Sequence, residues 1–268
     1  MSAVKDLILA GRPTEALAQA QTLARQNPQD AKLRTLLFQL MAVTGQWARA
    51  AAQLEVCGEL EAGTLAMVNT YREALKCELV REAVFEGKTT PMVMGQPAEW
   101  VAALVQALKL DADGDAKAAH ALRAQALEDA PATAGTIDGQ AFEWICDADS
   151  RLGPVLEAVI NGRYCWVPFA ALSKVQIEAP SDLRDLVWLP AQLEFSNGGA
   201  SVALIPSRYP RTTTFDDQAV WMGRRTEWQP LAGQGDEADH FAGVGQRVVM
   251  TDAGETGLLD VRLIALSA

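Results

Sequence analysis

Histidine is nearly missing from this 268-residue chain, with two in all, and aromatic residues make up only 6%. His120 and His240 lie far apart and neither stands beside a nucleophile in sequence, so no charge-relay pattern is visible and ordinary core or surface roles are expected. The four cysteines, Cys57, Cys77, Cys146 and Cys165, form no CxxC pair, which excludes a zinc ribbon and a disulfide scaffold and leaves reduced thiols as the expectation. Long apolar runs are lacking too. Leu7 to Ala10 is the only apolar stretch near the N-terminus, between Lys5 and Arg12, too short for a signal segment, and a cytoplasmic protein is expected.

Positive charge is in deficit: 23 Lys and Arg against 34 Asp and Glu give a net charge of −11 and a pI near 4.7. Nucleic acid and anionic membranes are therefore repelled on average. A phosphate-binding GxxxxGK[ST] loop is absent, and Gly243-Val244-Gly245 lacks the strand-to-helix context of a dinucleotide turn. Neither a cofactor nor a metal is expected.

What the chain does contain is a repeat. Gly11, Ala16 and Pro28 punctuate two helical stretches, and Gly45 and Ala50 return 34 residues later, the period of tetratricopeptide-like repeats. Gly114, Ala119 and Pro131 keep the same internal gaps as the first copy. Glycine permits the turn between helices, alanine their close approach, and proline the stop. Helix 100–110 would open the third copy with Pro97 near its first turn. Between the copies, 64–86 reads as one long amphipathic helix with Leu65, Val68, Tyr71, Leu75 and Leu79 on its apolar stripe and Gly87 beyond its end.

The small, polar stretch 132–139 marks a boundary, after which periodicity turns from helical to alternating. Expected strands are 163–168, 175–178, 191–195, 201–205, 247–251 and 258–266, with Asn197-Gly198-Gly199 as a hairpin turn and 252–257 as another. Two short helices are expected, one from Gly153 or Pro154 to Ile160 closed by Asn161-Gly162, the other starting at Ser181. The fold class is thus α+β: an irregular TPR-like helical domain over 1–135 and a small, β-rich, barrel-like domain over 136–268.

Asp147 and Asp149 stand just before Arg151. Such a cluster could serve a hydrolase through paired carboxylates, or it could be a buried Asp–Arg network pinning the junction of the domains, which is the expectation here. Trp144, Tyr164, Trp166, Trp188, Tyr209, Trp221 and Trp228 concentrate in the second half, where rings build a small core or edge a groove.

The stretch from Trp144 through Asp147, Asp149, Arg151 and Gly153-Pro154, then Asn161-Gly162-Arg163-Tyr164 and Trp166-Val167-Pro168-Phe169, resembles the signature of the ImpE/TagJ (SciE-type) family. Asp182-Leu183-Arg184-Asp185-Leu186-Val187-Trp188, Ile205-Pro206-Ser207-Arg208-Tyr209-Pro210 and Arg225-Thr226-Glu227-Trp228 agree with it. The resemblance implies a non-catalytic accessory protein of the bacterial type VI secretion system. It further implies binding to the N-terminal helical region of the sheath subunit TssB and a link to sheath handling by the unfoldase ClpV. Arg151, Arg184 and Arg208 become candidates for ion pairs with Asp147, Asp149 or Asp185. An apolar groove between helices would hold the partner helix, with Leu37, Met41, Tyr71 and Leu75 as its expected lining. A small hydrolase built on Asp147, Asp149 and Arg151, or a general holder of apolar helices, are the alternatives.

Overall fold

The computed structural model describes residues 2–96, 98–234 and 238–267, so Pro97 lies outside the described residues. Seven helices occupy the first half: α1 (Ser2–Leu9), α2 (Pro13–Gln26), α3 (Ala31–Val43), α4 (Trp47–Leu60), α5 (Leu65–Phe85), α6 (Glu99–Ala112) and α7 (Ala116–Asp129). Gly11, Gly45 and Gly114 turn the chain between α1 and α2, α3 and α4, and α6 and α7, all at positive φ of 69° to 85°. Ala16, Ala50 and Ala119 are fully buried, as close approach of paired helices requires. Asp30 and Asp115 cap α3 and α7, accepting from the backbone N–H of Leu33 and Ala118. The expected inter-helix glycine turns, the buried alanines and the helices over 64–86 and 100–110 are thus present.

The strands are β1 (Met92–Val93), β2 (Gly135–Ile137), β3 (Gln140–Phe142), β4 (Ile145–Asp147), β5 (Val155–Ile160), β6 (Arg163–Pro168), β7 (Leu172–Ile177), β8 (Trp188–Phe195) and β9 (Ala200–Pro206). A one-turn helix α8 (Gln218–Trp221) precedes β10 (Thr226–Pro230), β11 (Phe241–Gly245), β12 (Val248–Thr251), β13 (Gly254–Gly257) and β14 (Leu263–Leu266). Nine of them form one sheet in the order β1-β6-β5-β9-β8-β7-β14-β2-β3, where only β1 pairs in parallel. The order is open, with β1 and β3 as its edges, so the expected barrel-like closure does not occur among the described residues. The architecture is α+β, helices first and sheet after.

Two expected helices are corrected. Residues Val155–Ile160 are strand β5, hairpinned to β6 through Asn161 and Gly162 at φ of 50° and 71°. The misreading has a physical cause: all six residues are buried, so no polar alternation betrays the strand. Val155 and Val159 face the core shared with the helices, whereas Leu156, Ala158 and Ile160 face a second core on the other side of the sheet. No helix starts at Ser181 either. Residues 182–187 form turns, tied by the Asp185 carboxylate, which accepts from the N–H groups of Ser181 and Asp182 and from the Ser181 hydroxyl.

Helix α5 is rotated from its expected facing. Val68, Tyr71 and Leu75 are buried, but Leu65 and Leu79 are exposed while Glu78 and Arg81 point inward. The helix buries charge in preference to leucine because the sheet presents partners for it.

The inter-helix glycines allow a direct comparison. A Cβ on Gly45 would meet the Thr213 side chain at 2.3 Å, whereas one on Gly114 would meet nothing within 4 Å. Gly114→Ala is expected to cost about 1–2 kcal/mol from left-handed backbone alone, and Gly45→Ala at least about 1 kcal/mol more through the clash. Urea denaturation of the two variants checks this; equal costs would contradict the close approach of Thr213.

Candidate functional site

The densest chemistry lies between α5 and the sheet. Glu157, on the helix-facing side of β5, is 0% exposed, and a carboxylate so placed needs cations. Arg81 of α5 supplies one, with Nε 2.7 Å and Nη2 3.1 Å from the two Glu157 oxygens. Arg247, between β11 and β12, supplies the second by contacting Glu157 Oε2. Tyr164 donates its hydroxyl to Glu157, and Trp166 donates to that hydroxyl at 2.8 Å.

The network spreads from there in both directions. On the helix side, Glu78 lies 3.4 Å from Arg81 and accepts from the Trp188 indole at 2.8 Å. On the strand side, Arg247 Nη1 stands 3.3 Å from Asp147 Oδ2 but outside hydrogen-bonding geometry, so charge alone holds that pair. Tyr209 donates to Asp147 at 2.9 Å, as does the backbone N–H of Asp149 at 2.8 Å. Asp149, fully buried, takes Nε of Arg151 at 2.9 Å, the Arg151 backbone N–H at 3.0 Å and the Gly243 N–H at 2.9 Å.

Asp147, Asp149 and Arg151 thus sit in one network, while Arg184, Asp185 and Arg208 do not join it through ion pairs among the described residues. Arg184 pairs with its neighbour Asp182 and lies 5.0 Å over the Tyr71 ring. Asp185 ties its own turn. Among the described residues Arg208 has no carboxylate partner: it donates to the carbonyls of Val43 at 2.8 Å and Ala42 at 3.3 Å, closing the C-terminus of α3. Its backbone carbonyl in turn accepts from Arg81 at 2.7 Å. Glu78, Arg81, Glu157 and Arg247 escaped the sequence reading because their pairing spans 76 residues or more between α5 and the strands. The signal available was a charge set inside an apolar run, as Glu157 is within Val155–Ile160.

Burial polarises these groups. Asp147 is pushed up to about 6, by desolvation first, against the opposing charge of Arg247. Asp149, equally desolvated, ends below its usual value because Arg151 and the Gly243 N–H together outweigh that penalty. Burial also brings Arg247 and Arg208 down to about 10 each. The oxygens of Asp149 are committed to Arg151 and backbone N–H groups, leaving that carboxylate no solvent-facing acceptor.

The four residues expected to line a partner groove are corrected as well. Leu37, Met41, Tyr71 and Leu75 are buried in the helix-side core, with Tyr71 5.7 Å from both the Phe38 and Trp188 rings. The groove that bare helices would leave open is filled by the chain's own sheet through Trp188, itself 5.9 Å from Trp47. Of the aromatic set, Tyr164, Trp166, Trp188 and Tyr209 are core residues, while Trp144, Trp221 and Trp228 are half-buried.

Similarity to known proteins bears on this arrangement. Residues 139–265 match the family model described as ImpE protein. Over 258 residues, 96% of this chain and 89% of the relative, the sequence is 54% identical to the type VI secretion system accessory component TagJ of Pseudomonas aeruginosa. The chain belongs to the ImpE family. The network residues Asp147, Asp149, Arg151, Glu157 and Arg247 all lie inside the span that the ImpE model matches. A crystal structure of a protein from Vibrio parahaemolyticus shares the fold, with a TM-score of 0.89 at 22% identity, covering 99% of this chain and 98% of that one.

Glu157→Gln leaves Arg81 and Arg247 sharing a neutral acceptor and is expected to cost about 3–5 kcal/mol, whereas Asp182→Asn, in a part-exposed pair, costs less than about 1 kcal/mol; chemical denaturation compares them. The Asp147 value lies above the unfolded 3.8, so its contribution to stability is fully present below about 3.8 and is lost as pH rises through about 6. Carboxyl carbon NMR should show Asp147 titrating near 6 and Asp149 well below it; a midpoint for Asp147 in the ordinary carboxylate range would refute the desolvation.

Proposed function

We propose that this chain is a non-catalytic adaptor of a bacterial type VI secretion system, working in the cytoplasm, that binds the N-terminal helical region of the sheath subunit TssB and thereby connects to ClpV-dependent sheath handling. The observation that carries the reading is the 54% identity to a type VI secretion system accessory component across nearly the whole chain. Within it, residues 1–135 act as irregular TPR-like repeats and 136–268 as the β-rich unit that fills their concave side. No helix among the described residues is long and apolar enough to cross a membrane, in keeping with this setting.

With Leu37, Met41, Tyr71 and Leu75 engaged inside, the partner helix needs another apolar surface. An open cleft of about 790 Å³ lies between the start of α6 and the sheet edge, lined by Met94, Trp100, Ile160, Pro168, Ala170 and Phe195 among others. The adjoining edge strand β1 exposes Met92 and Val93. An amphipathic helix laid along this cleft would cover apolar surface that is otherwise wet, at about 25 cal/mol per Å² removed from water. The hydrolase alternative gains nothing from the structure, since Asp149 is sealed and bound on all sides by its own chain.

A fluorescently labelled peptide of the TssB N-terminal helix should bind the purified chain saturably, in the micromolar range or tighter. Ala170→Arg, which sets a charge on the exposed rim of the cleft, should weaken it about tenfold or more with Tm unchanged, while Leu9→Gln on distant α1 should not. Equal binding of an unrelated amphipathic helix would favour a general holder of apolar segments, and no saturable binding would remove the TssB assignment.

A further inference from the structure

The chain's two histidines, 120 residues apart, meet in space. His120 on α7 and His240, the residue before β11, bring their Nδ1 atoms to 3.1 Å, and a carboxylate oxygen of Asp239 lies 4.0 Å from His120 Nδ1. The three ligand atoms lie within 4.8 Å of one another. In a tetrahedral zinc site with Zn–N near 2.0–2.1 Å, two imidazole nitrogens stand roughly 3.3 Å apart. The observed spacing is close to that, and the donor set of two imidazoles and one carboxylate is the chemistry that favours zinc over magnesium or calcium.

The two donors before β11 are held by Gln234. Gln234 accepts from the N–H groups of Asp239 and His240, at 2.7 Å each, and donates to the carbonyls of Leu231 and His240. Gly233, at φ +84°, presses on the start of α7 so closely that a Cβ there would come within 2.1 Å of the Ala116 carbonyl. Such ordering of the residues around the donors is what a metal site requires. His240 is 8% exposed, whereas the Asp239 side chain is 69% exposed, so the site is fixed on its inner side and open to solvent on its outer side. Arg123, one turn along α7, acts on His240 by its charge, which Asp111 answers.

We propose that His120, His240 and Asp239 bind one zinc ion, with a solvent-facing fourth position, and that the ion fastens α7 to the loop before β11. Tag-free protein stripped with chelator and titrated with zinc chloride in a calorimeter should bind one ion per chain, and its Tm should rise with zinc and fall back with EDTA. Cobalt(II) in place of zinc should give the visible absorption of a tetrahedral centre. His120→Ala and His240→Ala should each weaken zinc binding at least tenfold and abolish the thermal response, and Asp239→Asn should weaken it less. His120→Gln, which keeps the side-chain bulk, gives the same readout should the alanine variant misfold. Stoichiometric binding unchanged in the two histidine variants, or no one-to-one binding in the wild-type chain, would overturn the proposal.

Discussion

Everything in this fold turns on charge that has nowhere to go but to its own chain. Glu157, Asp149 and Arg247 have essentially no access to water, and Arg81 and Asp147 have little more. Four carboxylates, those of Glu78, Glu157, Asp147 and Asp149, are set against three guanidinium groups, those of Arg81, Arg247 and Arg151. Pairing makes such burial tolerable, yet desolvation takes back most of the Coulombic gain, and a well-packed apolar replacement could be as stable. What the network supplies is position. Sliding α5 by one turn, about 5.4 Å, would part Arg81 from Glu157 and Glu78 from the Trp188 indole, stranding several buried charges together.

That constraint explains how the helices are seated on the sheet. The helix-side core runs without interruption from Val4 of α1 through Trp166 and Trp188 of the sheet, so the two halves share one interior. Arg208 adds a tie of a different kind, its guanidinium closing α3 while its carbonyl receives Arg81. Arg151 lies 4.8 Å over the Phe85 ring at the end of α5, and Arg184 lies over Tyr71 near its middle. Each of these arginines comes from the β-rich half and reaches into the helical half, where a flat cation can both stack and donate.

The parts of this arrangement legible in the sequence were those fixed by neighbours along the chain. Gly45 and Gly114 announce turns because only glycine readily holds their backbone angles, and Asp149 with Arg151 announces itself because the pair is two residues apart. Strand β5 was not legible, since burial on both faces erases the alternation that marks a strand. The facing of α5 was not legible either, because Glu78 and Arg81 look like solvent residues until Trp188, Glu157 and Arg208 are brought to them. The groove residues failed for the same reason. Leu37, Met41, Tyr71 and Leu75 do form an apolar face, but nothing local says that Trp188 will cover it.

A consequence follows for reading function from this family's motifs. Asp147, Asp149, Leu152, Tyr164, Trp166, Trp188, Arg208 and Tyr209, the heart of the motif stretches, are interior residues. A motif built from them reports a fold that must be assembled one way, and says little about what touches its outside. Recognition has to use surface that the network leaves free, and apolar surface of that kind lies at the rim, where β1 ends the sheet and α6 begins. The buried charges steady that rim: with α5 held against the sheet by Glu157 and Glu78, β6 and the β1 edge it carries are held as well, so a helix docking there as proposed would meet a preformed surface.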